Sequence, residues 1–270
     1  SINDREKEAI YTFSNGYMNF LNKAKIEREF VISAKEMAEQ NGFRDVTKCE
    51  FLKPGDKVYY INRDKSMYLA VIGTEKLENG LQIVGAHIDS PRLDLKPNPL
   101  YEDTGFAYFK THYYGGIKKY QWVTIPLSLY GVVCKKDGTV VDVVIGEDEN
   151  DPVVGISDLL IHLSADQLDK KAAKVIEGEN LDVTLGNMPL FGEEKDAVKA
   201  NVLKLLKEKY DIEEEDFVSA EIEVVPSGKA RDYGLDRSMV AGYGHDDRVC
   251  AYTSLTAILD SDVSEYTSCA

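Results

Sequence analysis

The stretch Leu81-Gln-Ile-Val-Gly-Ala-His-Ile-Asp-Ser-Pro91 decides how this chain is read: a short apolar run delivers His87 and Asp89, two residues apart, just before a proline ends it. On a β-strand successive side chains alternate faces, so the spacing predicts that His87 and Asp89 project the same way from the strand's C-terminal end. In open α/β sheets that end borders the ligand crevice. A neutral imidazole binds a transition metal through one ring nitrogen, while a nearby carboxylate accepts the proton on the other and fixes the tautomer. The same residues suit a plainer role, a strand-end histidine with Asp89 opening a turn toward Pro91.

Outward from this run, the pattern on the N-terminal side is helix, helix, strand, strand. Ile10, Phe13, Tyr17 and Phe20-Leu21 recur at helical spacing, and Val31, Ala34 and Met37-Ala38 repeat the period until Gly42. After Pro54-Gly55 the period shortens to strands at 58–61 and 68–72, joined by a loop at 62–66, and the His-x-Asp run is expected as the third strand. A second charged stretch, Ala241-Gly-Tyr-Gly-His-Asp-Asp-Arg-Val249, precedes apolar residues at Val249, Tyr252, Leu255 and Ile258-Leu259, spaced as on a helix. A carboxylate at this loop-to-helix turn is acceptor-only and has two oxygens, so it can bridge two cations. Alternatively Asp246 or Asp247 caps the helix, and His245 is an exposed loop residue. Helices, a twisted sheet and a further helix predict an α/β sandwich.

Residues 98–235 have another character. Runs at 105–114, 122–125, 127–133 and 140–145 are short, rich in Tyr, Thr and Val, and separated by turn residues, which reads as a β-rich module. A helix is expected over about 194–209, with Val198, Val202 and Leu205-Leu206 on one face, and a strand over 220–225. The expected organisation is therefore an α/β domain begun by residues 1–97, a β-rich insert over 98–235, and the α/β domain resumed over 236–270. Insertion is physically reasonable because the termini of an inserted domain lie close together.

Taken together, Gly85-Ala-His-Ile-Asp-Ser-Pro-Arg-Leu-Asp-Leu-Lys-Pro97, Ile161-His-Leu163 and Gly244-His-Asp-Asp-Arg-Val249 resemble the aspartyl aminopeptidase and aminopeptidase I family of zinc metallopeptidases. The resemblance covers nearly the whole chain, whereas family members continue well past position 270. It implies an α/β metallopeptidase domain interrupted by a dimerisation domain, with His87 binding one metal, Asp89 orienting that histidine and Asp246 bridging two metals. It also implies that His162 reaches from one subunit into the partner's active site. Two zinc ions per site are implied, with cobalt or manganese as substitutes, together with peptide substrates and a homo-oligomer of dimers assembled into a dodecamer. The family's general base and a further ligand are adjacent glutamates beyond the Asp-Asp-Arg helix. Glu193-Glu194 and Glu213-Glu214-Glu215 stand in charged stretches without an apolar strand before them and are expected as solvated faces.

The activity implied is metal-dependent removal of N-terminal residues from peptides. A non-catalytic assembly subunit or inactive fragment, and a two-metal amidohydrolase acting on small molecules, are the competing readings. With 43% hydrophobic and 29% charged residues, 270 residues suffice for a sizeable core. A net charge of −15 argues against a nucleic-acid partner. No run of 18 apolar residues is present to cross a membrane. Cysteines 49, 134, 250 and 269 form no C-x-x-C pair, so free thiols and a cytoplasmic location are expected. Neither Arg92 nor Lys96 is assigned to substrate; a surface or salt-bridge role is the simpler expectation for both.

Overall fold

Asn3 starts the first helix: its side chain accepts from the Glu6 N–H at 2.9 Å while the Glu6 carboxylate accepts from the Asn3 N–H at 2.9 Å, a reciprocal cap. In the computed structural model, which describes residues 2–270, helix α1 (Asp4–Lys23) is followed by α2 (Glu27–Gln40) and strands β1 (Arg44–Asp45), β2 (Lys57–Asn62), β3 (Ser66–Val71) and β4 (Leu81–Ile83). Then come β5 (Arg92–Asp103), β6 (Phe106–Tyr114), β7 (Leu127–Cys134) and β8 (Val140–Ile145), two four-residue helices α3 (Ala165–Leu168) and α4 (Ala172–Val175), β9 (Val183–Gly186), α5 (Ala197–Tyr210) and β10 (Ala220–Pro226). Strands β11 (Arg231–Tyr233) and β12 (Met239–Ala241), helix α6 (His245–Leu259) and β13 (Thr267–Cys269) complete the order.

These elements form two compact units, Ser1–Ser90 with Lys229–Ala270, and Pro91–Gly228. The first is a mixed α/β unit whose sheet runs β1-β2-β3-β13-β4, with β1∥β2 and β13∥β4 parallel and the other two pairings antiparallel. Helix α1 buries Tyr17, Phe20 and Leu21, and α2 buries Phe30, Val31, Ala34 and Ala38, the spacing of three and four that one apolar stripe requires. Both stripes share a core with Tyr59, Leu69 and Val71 of the sheet and with Tyr252, Leu255, Ile258 and Leu259 of α6. Phe20 is the hub: its ring centroid lies 4.9 Å from Phe30 and 5.1 Å from Tyr252. Ile10 and Phe13 of the expected stripe remain about half exposed, although the Phe13 ring still meets Tyr252 edge-on with centroids 5.5 Å apart.

The second unit carries a six-stranded antiparallel sheet, β8-β7-β10-β5-β6-β9. Residues Leu127–Val133 are all buried, as a strand flanked on both sides demands. Strand β5 shifts register between Leu95 and Leu100, where Pro97 and Pro99 have no N–H to give the ladder. The chain thus enters this unit at Pro91 and stays on one strand through the Leu-Asp-Leu-Lys-Pro segment, rather than changing structure after Pro97. Arg92 is buried there, its Nε 2.8 Å from Asp94 and 3.1 Å from Glu223, its guanidinium 4.0 Å from the Tyr114 ring centroid, and Lys96 pairs with Glu179 at 2.7 Å.

Two strand expectations fail for instructive reasons. The run at 122–125 is not a strand: a 3-10 turn at Lys119–Gln121 precedes it, and Trp122 and Val123 are buried from irregular backbone. Strand propensity scores fitness for a half-buried surface, and an apolar turn satisfies the same requirement. The run that carries His87 is a strand only over Leu81–Ile83, with one further bond from the Val84 N–H to Cys269 O at 3.0 Å, so His87 and Asp89 lie on irregular chain after β4 instead of alternating along it. The glutamates at 193–194 and 213–215 are exposed, and Lys207, Lys199 and Lys136 pair with Glu213, Glu214 and Glu215.

Candidate metal site

His87 and Asp246, 159 positions apart in sequence, meet within the first unit. The His87 ring is half exposed, with its side chain 51% accessible. Its Nδ1 lies 3.0 Å from both the backbone oxygen and Oδ1 of Asp89. Both are acceptors, so Nδ1 carries the proton and donates to Asp89. The opposite nitrogen, Nε2, lies 3.1 Å from Oδ1 of Asp246 and 4.0 Å from Oδ2 of Asp247. Burial works to lower the His87 pKa, but the hydrogen bonds and charge of Asp89, helped by Asp246, hold it above the ordinary histidine value.

That arrangement leaves a neutral His87 with a lone pair aimed at a carboxylate, two acceptors facing one another. Either a second proton or a cation has to sit between them. Two ligands each about 2.1 Å from one zinc ion stand roughly 3.0–3.4 Å apart at coordination angles of about 90–110°. The observed 3.1 Å fits, and imidazole with carboxylate is a donor set that zinc accepts. Among the described residues no set of three or more His, Cys, Asp or Glu side chains is gathered to hold an ion.

Asp246 is presented by an unusual helix start. Gly244 occupies the N-cap with φ 87° and ψ 22°, and Asp246 and Asp247 have non-helical torsions; the peptide between them is cis. Neither aspartate therefore caps the helix by its side chain, contrary to the plainer expectation. Three short segments converge behind this turn. Ser90 Oγ donates to the Asp246 backbone oxygen at 2.8 Å and accepts from Arg248 Nη1. Arg248, 1% exposed, also donates from Nε to Ala24 O at 2.7 Å and from Nη2 to Lys25 O at 2.8 Å. A Cβ on Gly244 would lie 2.6 Å from Arg248 Nη1.

His245 points elsewhere: Tyr17 OH donates to its Nδ1 at 2.9 Å, and its Nε2 donates to Val240 O at 3.1 Å. It ties α1 to β12 and is not the exposed loop residue that the sequence suggested. His162 lies in the second unit, exposed in a 3-10 turn at Ile161–Leu163. Its neighbours Leu160, Ile161 and Leu163 are 70%, 67% and 69% accessible, so the segment is neither the buried strand nor the buried helix that its apolar sequence also allows. All four cysteines are free, and Cys250 has its thiol pKa pushed up by a hydrogen bond to Asp247.

Sequence reasoning named His87, Asp89 and Asp246 for the site but gave no site role to Ser90, Asp247 or Arg248. The signal available was that all three stand inside the two motifs already quoted. What was missing was the third segment, since Ala24 and Lys25 contribute only backbone oxygens and leave no trace in residue type.

Residues 20–269 match the family described as aminopeptidase I zinc metalloprotease (M18). A probable M18 family aminopeptidase 1 of Clostridium acetobutylicum is 58% identical over 262 residues, which cover 95% of this chain and 56% of that protein. The crystal structure of an M18 family aminopeptidase from Thermotoga maritima superposes with a TM-score of 0.94 at 49% identity, over 98% of this chain and 58% of the other. At 17% identity and a TM-score of 0.70, the S. cerevisiae mApe1 dodecamer shares the fold over 95% of this chain and 59% of its own. The chain thus spans somewhat more than half the length of these relatives. Fold, motifs and sequence identity agree, and the chain belongs to the M18 family of metallopeptidases.

Proposed function

We propose that this chain supplies metal ligands to an aminopeptidase that removes N-terminal residues from peptides with water activated at two metal ions. One observation carries the reading: His87 Nδ1 is committed to Asp89, while Nε2 faces Asp246 Oδ1 at 3.1 Å, a separation that two ligands of one zinc ion adopt. In this assignment His87 would hold one ion and Asp246 would be shared between the two. Asp89 fixes the imidazole tautomer and raises its basicity. Zinc, with cobalt or manganese as substitutes, supplies Lewis acidity and a nucleophile usable near neutral pH. Membership of a zinc metalloprotease family supports zinc.

The second unit is proposed as the assembly module, forming dimers that build a dodecamer. The exposed apolar side chains of Leu160, Ile161 and Leu163 support a covered surface at this segment, and they flank His162, proposed to serve the partner's site. No helix among the described residues is long and apolar enough to cross a membrane, and four free cysteines support a reducing compartment, here proposed as the cytoplasm.

A release assay on aminoacyl peptides and their N-acetylated counterparts, with and without added zinc, tests the reading. Cleavage of free-amine peptides that depends on zinc and is lost in His87→Ala is the expected result. Full turnover by metal-stripped His87→Ala protein would contradict it, and equal cleavage of N-blocked peptides would favour the amidohydrolase reading.

A further inference from the structure

We infer that Ser90 and Arg248 are positioning residues that hold Asp246 in register with His87; the inference rests on the metal-ligand reading given above. Three separated segments must be fixed for the two donors to meet: the end of α1 at Ala24–Lys25, the loop carrying His87, and the turn carrying Asp246. Arg248 touches all three directly or through one hydroxyl. Its Nε and Nη2 anchor to Ala24 O and Lys25 O at 2.7 and 2.8 Å, and its Nη1 donates to Ser90 Oγ. That hydroxyl, three residues beyond His87, spends its own proton on the backbone oxygen of Asp246 at 2.8 Å. The chain of bonds therefore runs from α1 through a buried guanidinium and a buried hydroxyl to the peptide oxygen of the ligand itself.

The chemistry of each part is specific. A hydroxyl can accept from one group and donate to another, which is what relaying between a cation and a carbonyl requires. The planar guanidinium presents five N–H donors from three nitrogens in a fixed fork, so one side chain can define the relative positions of three acceptors, whereas an ammonium presents three rotatable donors from a single atom. Both side chains are removed from solvent, Ser90 being 3% and Arg248 1% exposed, so water does not readily replace a lost partner. Neither side chain is placed within reach of the proposed ion by any contact in the structure; both act through Asp246 and the His87 loop.

The test uses the 270-residue chain with Ser90→Ala, Ser90→Thr and Arg248→Lys. Two readouts are taken: zinc affinity by competition with a chromophoric chelator, and, without metal, the His87 ring nitrogen shifts with amide hydrogen exchange over residues 244–248. Ser90→Ala is expected to weaken zinc binding by about 10–100-fold, as loss of a residue orienting a ligand does. It is also expected to shift the His87 Nε2 resonance and speed exchange at 246–248. Ser90→Thr keeps the hydroxyl and is expected to restore both readouts, whereas Arg248→Lys does not. If Arg248→Lys fails to fold, the two Ser90 variants decide alone. Zinc binding by Ser90→Ala equal to wild type overturns the positioning role. If wild type and His87→Ala bind zinc alike, the ligand reading fails instead, and the metal-free readouts decide this inference: an unmoved His87 resonance with unchanged exchange in Ser90→Ala overturns it.

Discussion

Replacing Gly244 by alanine separates two costs that the structure superimposes at one position. The first is backbone strain. Gly244 has φ +87°, a region that L-residues enter at roughly 1–2 kcal/mol. The second is steric, because the new Cβ would stand 2.6 Å from Arg248 Nη1. That nitrogen cannot retreat freely, since the rest of the guanidinium is held by Ala24 O and Lys25 O. Losing one hydrogen bond from a charged group costs about 1.5–3 kcal/mol. Together the two costs come to about 2.5–5 kcal/mol. Gly55 provides the matched control: its φ is +88°, but nothing lies within 4 Å of the point where a Cβ would stand, so Gly55→Ala carries the strain alone. Urea unfolding of the two variants, followed by far-UV circular dichroism, gives the difference directly. Gly244→Ala is expected to lose at least about 1.5 kcal/mol more than Gly55→Ala. Equal losses would refute the claim that Arg248 is rigidly placed against the Gly244 turn.

Other consequences follow from the same packing. Burial, opposed by Arg248 and reinforced by Asp247, pushes the Tyr17 phenol up to about 12. A raised folded-state pKa favours the protonated form in the native state, so this stabilisation is complete below about pH 10 and is lost as pH rises toward 12. Over that window wild type is expected to lose up to about 2–3 kcal/mol more stability than Tyr17→Phe, measured by urea unfolding across the pH range. Leu255, 3% exposed between α2, the sheet and the α6 aromatics, is expected to cost about 3–5 kcal/mol on substitution by alanine, seen as a lower urea midpoint. Arg92→Leu removes the cation shared by Asp94 and buried Glu223 and is expected to destabilise the protein by about 3–5 kcal/mol in the same assay. A change below about 1 kcal/mol would show that this cluster tolerates loss of its central charge.

The α/β class was legible because two physical periods stand in the residues themselves. Tyr17, Phe20 and Leu21, with Val31, Ala34 and Ala38, keep the helical spacing up to the point where tertiary packing uses it. The antiparallel runs of the second unit were readable where apolar residues form strands flanked on both sides, as in Leu127–Cys134. Trp122 and Val123 misled for a reason that no local pattern resolves: burial without strand pairing produces the same composition. His87 and Asp89 were assigned to a strand because the apolar run continues past Ile83, yet the ladder ends there and the loop's shape comes from Ser90 and the Asp246 turn. The meeting of His87 with Asp246 could be expected only from the family resemblance, because nothing local relates residues 159 positions apart. The buried fork of Arg248 escaped notice because two of its acceptors are backbone oxygens, which any residue type supplies.

One ion shared by His87 and Asp246 underlies the whole assignment. Crystals grown with zinc, with data collected on both sides of the zinc absorption edge, locate that ion without reference to activity. The expected result is an anomalous peak about 2.0–2.2 Å from both His87 Nε2 and an Asp246 carboxylate oxygen. Zinc bound at other side chains, with these two still in contact only with each other, would contradict it.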